Sequence, residues 1–126
     1  MCFVFEFLPG RDLFWVLQNE NRLFSSGGRK QWATFYGTEI VAALDLIHKN
    51  QVLYRDLKPD NVMIDADGHI KLIDFGFSKL LNSKQRAFTN CGTVGYTAPE
   101  VLGGSGYSYQ ADVWSFGILL VELLSG

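Results

Sequence analysis

Four side chains close together in the sequence could move a phosphate. Residues 54–61 read YRDLKPDN. Within that stretch Asp56 could accept a proton from a hydroxyl, and Lys58 could offset charge on a transferring phosphoryl group. Asn61 offers a hard oxygen suited to Mg²⁺. Asp74, in the triplet Asp74-Phe75-Gly76, would supply a second such oxygen. Phosphoryl transfer asks mainly for positioning and charge neutralisation, which these residue types can provide.

These groups need elements to hold them. Val52, Leu53 and Tyr54 predict a short strand leading into the loop. Residues 62–64 and 70–73 are apolar and flank the turn signal Asp67-Gly68, which predicts a hairpin. A hairpin returns the chain to its start, so Asp74 can approach Asn61. Upstream, Trp32, Phe35, Tyr36, Ile40, Ala43, Leu44 and Ile47 keep helical spacing and predict a helix over 29–49. Residues 3–7 (FVFEF) predict a strand ending at Pro9-Gly10, and Asp12 is placed to cap a helix carrying Leu13, Val16 and Leu17 on one face. Ser25 to Gly28 read as a loop. Residues 77–96 have no period and read as a long loop. Pro99 opens a short helix, and 103–109 form a Gly-rich loop. Residues 111–124 predict an apolar helix buried nearly all round. The order implies a mostly helical α+β arrangement.

Composition sets outer bounds. The chain has 126 residues, enough for one domain with a modest core. A net charge of −2 gives no global pull toward nucleic acid or an anionic membrane. The two cysteines, Cys2 and Cys91, are far apart and match no disulfide framework or metal spacing. They predict reduced, inert thiols in an intracellular, cytoplasmic protein. His48, near a helix end, is expected to meet terminal carbonyls, and His69 to lie on the hairpin surface. Both ends of the sequence stop inside patterned apolar stretches, so a piece of a longer protein is expected.

Each motif alone is weak, but the set is specific. YRDLKPDN, then Asp74-Phe75-Gly76, then Ala98-Pro99-Glu100, then Asp112-Val113-Trp114-Ser115-Phe116-Gly117 follow the order and spacing of the eukaryotic protein-kinase signatures. The chain therefore resembles the protein-kinase family from its hinge to the central helix of the C-terminal lobe. Tyr54 in place of the usual His, residues 74–79, and residues 89–93 resemble the basophilic serine/threonine branch of cyclic-nucleotide-dependent kinases, the cGMP-dependent type most closely. The implied fold is protein-kinase-like: a mostly helical C-terminal lobe with a small hairpin and little of the N-terminal lobe. Residues 1–126 would be one partial kinase domain.

The resemblance also implies roles. Asp56 would be the catalytic base or the residue that orients the hydroxyl, Lys58 would touch the transferring phosphate, and Thr93 would position Asp56 and the substrate hydroxyl. Asn61 and Asp74 would hold Mg²⁺. For ATP, Phe5 would guard the adenine pocket, Glu6 and Leu8 would offer hinge backbone, Met63 would lie beneath the base and Asp12 would face the ribose. Asp12 and Asp60 would also meet basic residues of a protein or peptide substrate phosphorylated on Ser or Thr. Thr89 would be phosphorylated by an upstream kinase, with Arg55 and Lys79 as partners of the phosphate.

The sequence departs from the pattern as well. Residues 1–126 hold no Gly-rich phosphate loop and no strand lysine with its helix glutamate. This chain alone is therefore expected to be inactive, and a non-catalytic, pseudokinase-like interaction module is the alternative. Val94 and Gly95 replace the usual Pro and Glu, which removes one acidic contact for a basic substrate. The region from Ser25 to Arg29 is a few residues longer than in close relatives. Glu100 is expected to lack its usual arginine, and Phe3, Tyr54 and Phe75 to form an open apolar face.

Overall fold

The computed structural model describes residues 2, 4–19, 28–82 and 84–125. Helix α1, Leu13–Asn19, starts where Asp12 caps it: Asp12 Oδ1 accepts the Trp15 N–H at 2.7 Å. This satisfies one of the first-turn N–H groups that a helix leaves open. Helix α2, Arg29–Lys49, has the bounds that its periodicity predicts. Ala33, Tyr36, Ile40 and Leu44 form its buried stripe at steps of three and four. Gln51, at φ 62°, ends the helix in the left-handed region, and its N–H donates to His48 O at 2.9 Å.

Strand β1, Val52–Leu53, leads into the catalytic loop, which passes through a single 3₁₀ turn at Pro59–Asn61. Strands β2, Val62–Ile64, and β3, Ile70–Leu72, pair antiparallel with Val62 opposite Leu72, as the hairpin predicts. At the tip, Asp65 Oδ1 accepts the N–H groups of Asp67 and His69, both at 3.0 Å, and Gly68 sits at φ 88°. Residues 10–12 run along the other edge of β2, where Ile64 N–H donates to Arg11 O at 3.0 Å. Position 10 must be glycine there, because a Cβ would stand 1.7 Å from Ile64 O. Strand β4, Lys79–Leu80, pairs antiparallel with β1. The short helix α3, Pro99–Leu102, and the long helix α4, Gln110–Ser125, complete the order.

Two apolar clusters hold these elements. One joins α1, α2 and α4 to Tyr54, Leu57 and Val62. The other gathers Leu53, Leu81, Ala87, Ala98, Val101 and Tyr107 around Ala111 of α4. Helix α4 is shared by both, so it fixes the catalytic loop against the later loops. No described helix is long and apolar enough to cross a membrane.

The structure corrects several expectations. Residues 4–7 form no strand, and Val4, Phe5 and Phe7 are exposed. β-propensity acts on a half-buried pleated surface, and these side chains stand in solvent instead. Phe3 lies outside them, as do residues 25–27 of the predicted loop. Strand β4 falls inside the segment predicted as loop, because two residues carry no pattern of their own and β1 selects them. Helix α4 is not buried all round: Val113, Trp114, Val121 and Leu124 are exposed on its far face. Tyr54 is wholly buried rather than part of an open face, and its hydroxyl donates to Ile73 O. Phe75 is half exposed and meets the Tyr54 ring edge-on at 5.2 Å.

Candidate active site

The catalytic loop hangs from one carboxylate. Asp112, in the first turn of α4, is 0% exposed. Its Oδ2 accepts the Tyr54 N–H at 2.9 Å, and its Oδ1 accepts the Arg55 N–H at 2.8 Å. His48 Nε2 lies 2.7 Å from the same Oδ2, so His48 serves this carboxylate instead of the helix carbonyls. Arg55 is held at φ 76°, a conformation costly for a side chain with a Cβ. The paired N–H bonds to Asp112 keep the backbone in that bend, and the bend aims the next residue, Asp56, toward the activation segment.

Around Asp56 four side chains close on one another. Asp56 is 5% exposed. Its Oδ1 accepts the Thr93 hydroxyl at 2.6 Å and its Oδ2 accepts Asn61 Nδ2 at 3.0 Å. Lys58 Nζ stands 3.5 Å from Asp56 Oδ2 and donates to Thr93 Oγ1 at 3.0 Å. A buried carboxylate needs such hydrogen-bond partners in place of water. The structure thus joins Asp56, Lys58, Asn61 and Thr93, although Thr93 lies 37 positions from Asp56.

Asn61 and Asp74 sit at the two feet of the β2–β3 hairpin. Ile73 N–H donates to Asn61 O at 3.0 Å, which sets the Asp74 backbone beside Asn61. Asp74, at φ 56°, is exposed, and its Oδ1 accepts the Gly76 N–H at 3.0 Å. The Asn61 amide nitrogen is bound to Asp56 O and Oδ2, so its Oδ1 is the atom that can face a cation. Among the described residues no three His, Cys, Asp or Glu cluster as a metal cage. Two hard protein oxygens fit Mg²⁺, which keeps several waters and takes phosphate oxygens for the rest.

The residues assigned to the nucleotide are only partly assembled. Asp12 pairs with Met63 across an isolated bridge, which brings together the residues expected to meet ribose and adenine. Leu8 is half-buried just upstream. Glu6 is exposed and bonds Lys71 Nζ at 2.6 Å, tying the segment before α1 to β3. Phe5 is 84% exposed. Of the two acids expected to meet a basic substrate, Asp60 is exposed on the 3₁₀ turn, while Asp12 already caps α1.

Thr89 is exposed on the activation segment. Arg55 sends its guanidinium to Phe77 O and, at 3.3 Å, to the Tyr107 hydroxyl. Lys79 lies opposite Leu53 on the β1–β4 pair, and Arg55 follows shortly after Leu53 on the same chain segment. Glu100 makes no ion pair among the described residues. Tyr96 donates its hydroxyl to Glu122, and Ser115 Oγ donates to Tyr96 O at 2.8 Å. These two bonds fasten the segment after Thr93 to α4. Burial, then the Glu122 bond, holds the Tyr96 phenol above its ordinary pKa, so it stays a donor.

Sequence reasoning quoted Asp112 inside a motif but gave it no task, and it passed over Tyr107 and Glu122. An acid at the start of an otherwise apolar helix was the available signal for Asp112, since an unpaired charge there would be prohibitively costly.

A model of the protein kinase domain matches residues 1–126. The mouse cAMP-dependent protein kinase catalytic subunit PRKX is 49% identical over 121 residues, covering 96% of this chain and 32% of that protein. Rat protein kinase C delta type is 49% identical over 127 residues, covering all of this chain and 18% of that protein. The Schizosaccharomyces pombe serine/threonine-protein kinase sck1 is 48% identical over 124 residues, covering 96% of this chain and 17% of that protein. The chain spans about a third of the first of these relatives and less of the others. With the catalytic-loop quartet, the hairpin and the shared helix in place, the chain belongs to the protein kinase domain family, with serine/threonine kinases among its relatives.

Proposed function

We propose that this chain forms the floor of a serine/threonine kinase site that transfers the γ-phosphoryl group of ATP to a protein hydroxyl. The observation that carries the reading is the closed quartet of Asp56, Lys58, Asn61 and Thr93. Asp56 takes the proton of the attacking Ser or Thr hydroxyl as its oxygen bonds to phosphorus and the bond to the ADP oxygen breaks. Thr93 holds Asp56 Oδ1 from the activation segment. Lys58 is placed to donate to the moving phosphoryl oxygens. Asn61 and Asp74 are the residues that would hold Mg²⁺, which when bound neutralises charge on the phosphates. Leu8, Met63 and Asp12 would receive the adenosine, and Asp60 a basic residue of the substrate.

A finer reading assigns the chain to the basophilic cyclic-nucleotide-dependent branch, the cGMP-dependent type included. It rests on Tyr54, residues 74–79 and residues 89–93; two of the relatives named above bear cAMP-dependent and protein kinase C names. The intact quartet favours an enzyme over a non-catalytic interaction module.

The test is paired. In a chain that also carries a Gly-rich loop and strand lysine, a basic Ser/Thr peptide is phosphorylated, and Asp56→Asn cuts kcat by about 10²- to 10⁴-fold. Full activity of that variant would overturn the assignment. Residues 1–126 alone are expected to transfer nothing.

A further inference from the structure

One hydroxyl outside the quartet touches both the catalytic loop and the activation segment. Tyr107 is 3% exposed, in the loop between α3 and α4. Its backbone pairs with Ala87 in both directions, at 2.8 and 2.9 Å. Its hydroxyl donates to Thr89 O at 2.5 Å. The same oxygen lies 3.3 Å from Arg55 Nη1 and 3.7 Å from Cys91 Sγ. A phenol has one proton to give and two lone pairs. Donation to Thr89 therefore leaves the oxygen to accept from the guanidinium and the thiol, and its capacity is filled.

We infer that the Tyr107 hydroxyl is a positioning group: it locks residues 89–91 to Arg55 and so sets Thr93 against Asp56. The link from the lock to the base is short. Gly92 follows at φ 104°, packed so closely on the Arg55 backbone that a Cβ would stand 2.8 Å from Arg55 O. Thr93 comes next and bonds Asp56. Thr89 is held here by its carbonyl, not by its side chain. The lock thus operates before any phosphate is added, and phosphorylation would reinforce an arrangement already made.

The inference partly rests on the phosphoryl-transfer reading, so its test has two arms. Tyr107→Phe keeps the ring in its cluster and the backbone pairing with Ala87, and removes only the hydroxyl. Hydrogen–deuterium exchange on the full-length chain is expected to rise about 2- to 10-fold across residues 88–93, the range of one lost internal hydrogen bond. Exchange in α2 and α4 is expected to stay as in the wild type. Unchanged exchange at 88–93 overturns the inference. A rise in every helix, or failure to fold, also overturns it, because Tyr107 would then be structural only. In an active kinase chain, kcat is expected to fall with KM for ATP unchanged. Local exchange that rises while a chain extended with a Gly-rich loop and strand lysine transfers no phosphate would sink the kinase reading and leave the lock standing.

Discussion

Asp112 grips the main-chain N–H of Tyr54 at 2.9 Å across 58 positions of sequence. The neighbouring bond to Arg55 and the contact with His48 use the same carboxylate. Replacing it by alanine would leave two buried N–H groups without an acceptor.

Asp112→Ala is therefore expected to lower stability by about 3–5 kcal/mol, in the range for breaking a buried, hydrogen-bonded charge. Asp112→Asn should cost less, since its carbonyl can still accept. Urea denaturation of the two variants checks both values. Equal midpoints for wild type and Asp112→Ala would refute the anchoring role.

Gly92→Ala combines a φ of 104° with a Cβ 2.8 Å from a backbone oxygen. Strain of this kind is worth about 1–3 kcal/mol. The segment can relieve it only by moving Thr93 off Asp56, so in an active chain kcat should drop along with stability. A variant with wild-type melting and wild-type kcat would contradict the packing.

His69 supplies a pH dependence. Its Nδ1 lies 2.5 Å from Glu39 Oε1, and Ile70 N–H donates to Glu39 Oε2 at 2.9 Å. The hydrogen bond to Glu39 raises the His69 pKa above its ordinary 6.5. A raised histidine pKa means the folded chain binds the proton more tightly than the unfolded one. The added stability is fully present below pH 6.5 and is lost as pH rises through the raised value. Denaturation midpoints should fall across that window, and Glu39→Gln should flatten the slope. A slope unchanged by Glu39→Gln would dismiss the pair as its cause.

Phosphate on Thr89 would add about −1.5 to −2 charge and three acceptor oxygens, for which Arg55 and Lys79 are the proposed partners. Proteolysis within residues 84–92 should slow after phosphorylation, and the protection should weaken as salt is raised. In an active chain Thr89→Ala is expected to lose activity. Equal activity of that variant and the phosphorylated wild type would rule the switch out.

The sequence spoke plainly where structure is local. Helix α2 has a long period and its own ending at Gln51, and the β2–β3 hairpin has its Asp67-Gly68 turn. Asp56, Lys58 and Asn61 share one short loop, so their meeting was readable. Strand β4 was not readable, because Lys79 and Leu80 become a strand only by pairing with β1. The strand expected over residues 3–7 is absent at 4–7, where Val4, Phe5 and Phe7 are exposed and their β-propensity has no half-buried surface to act on. His48 and Asp112 are 64 positions apart, and no local pattern announces their contact.

Helix α4 has a consequence for the order of events in the cell. A ribosome delivers residues 54–61 well before it delivers Asp112. Until residues 110–125 have emerged, Tyr54 and Arg55 have no acceptor for their N–H groups, and both apolar clusters lack a wall. The nascent chain must carry residues 54–61 unfastened over the 58 positions that separate Tyr54 from Asp112. A translation pause between residues 61 and 110 would therefore leave both clusters open to solvent.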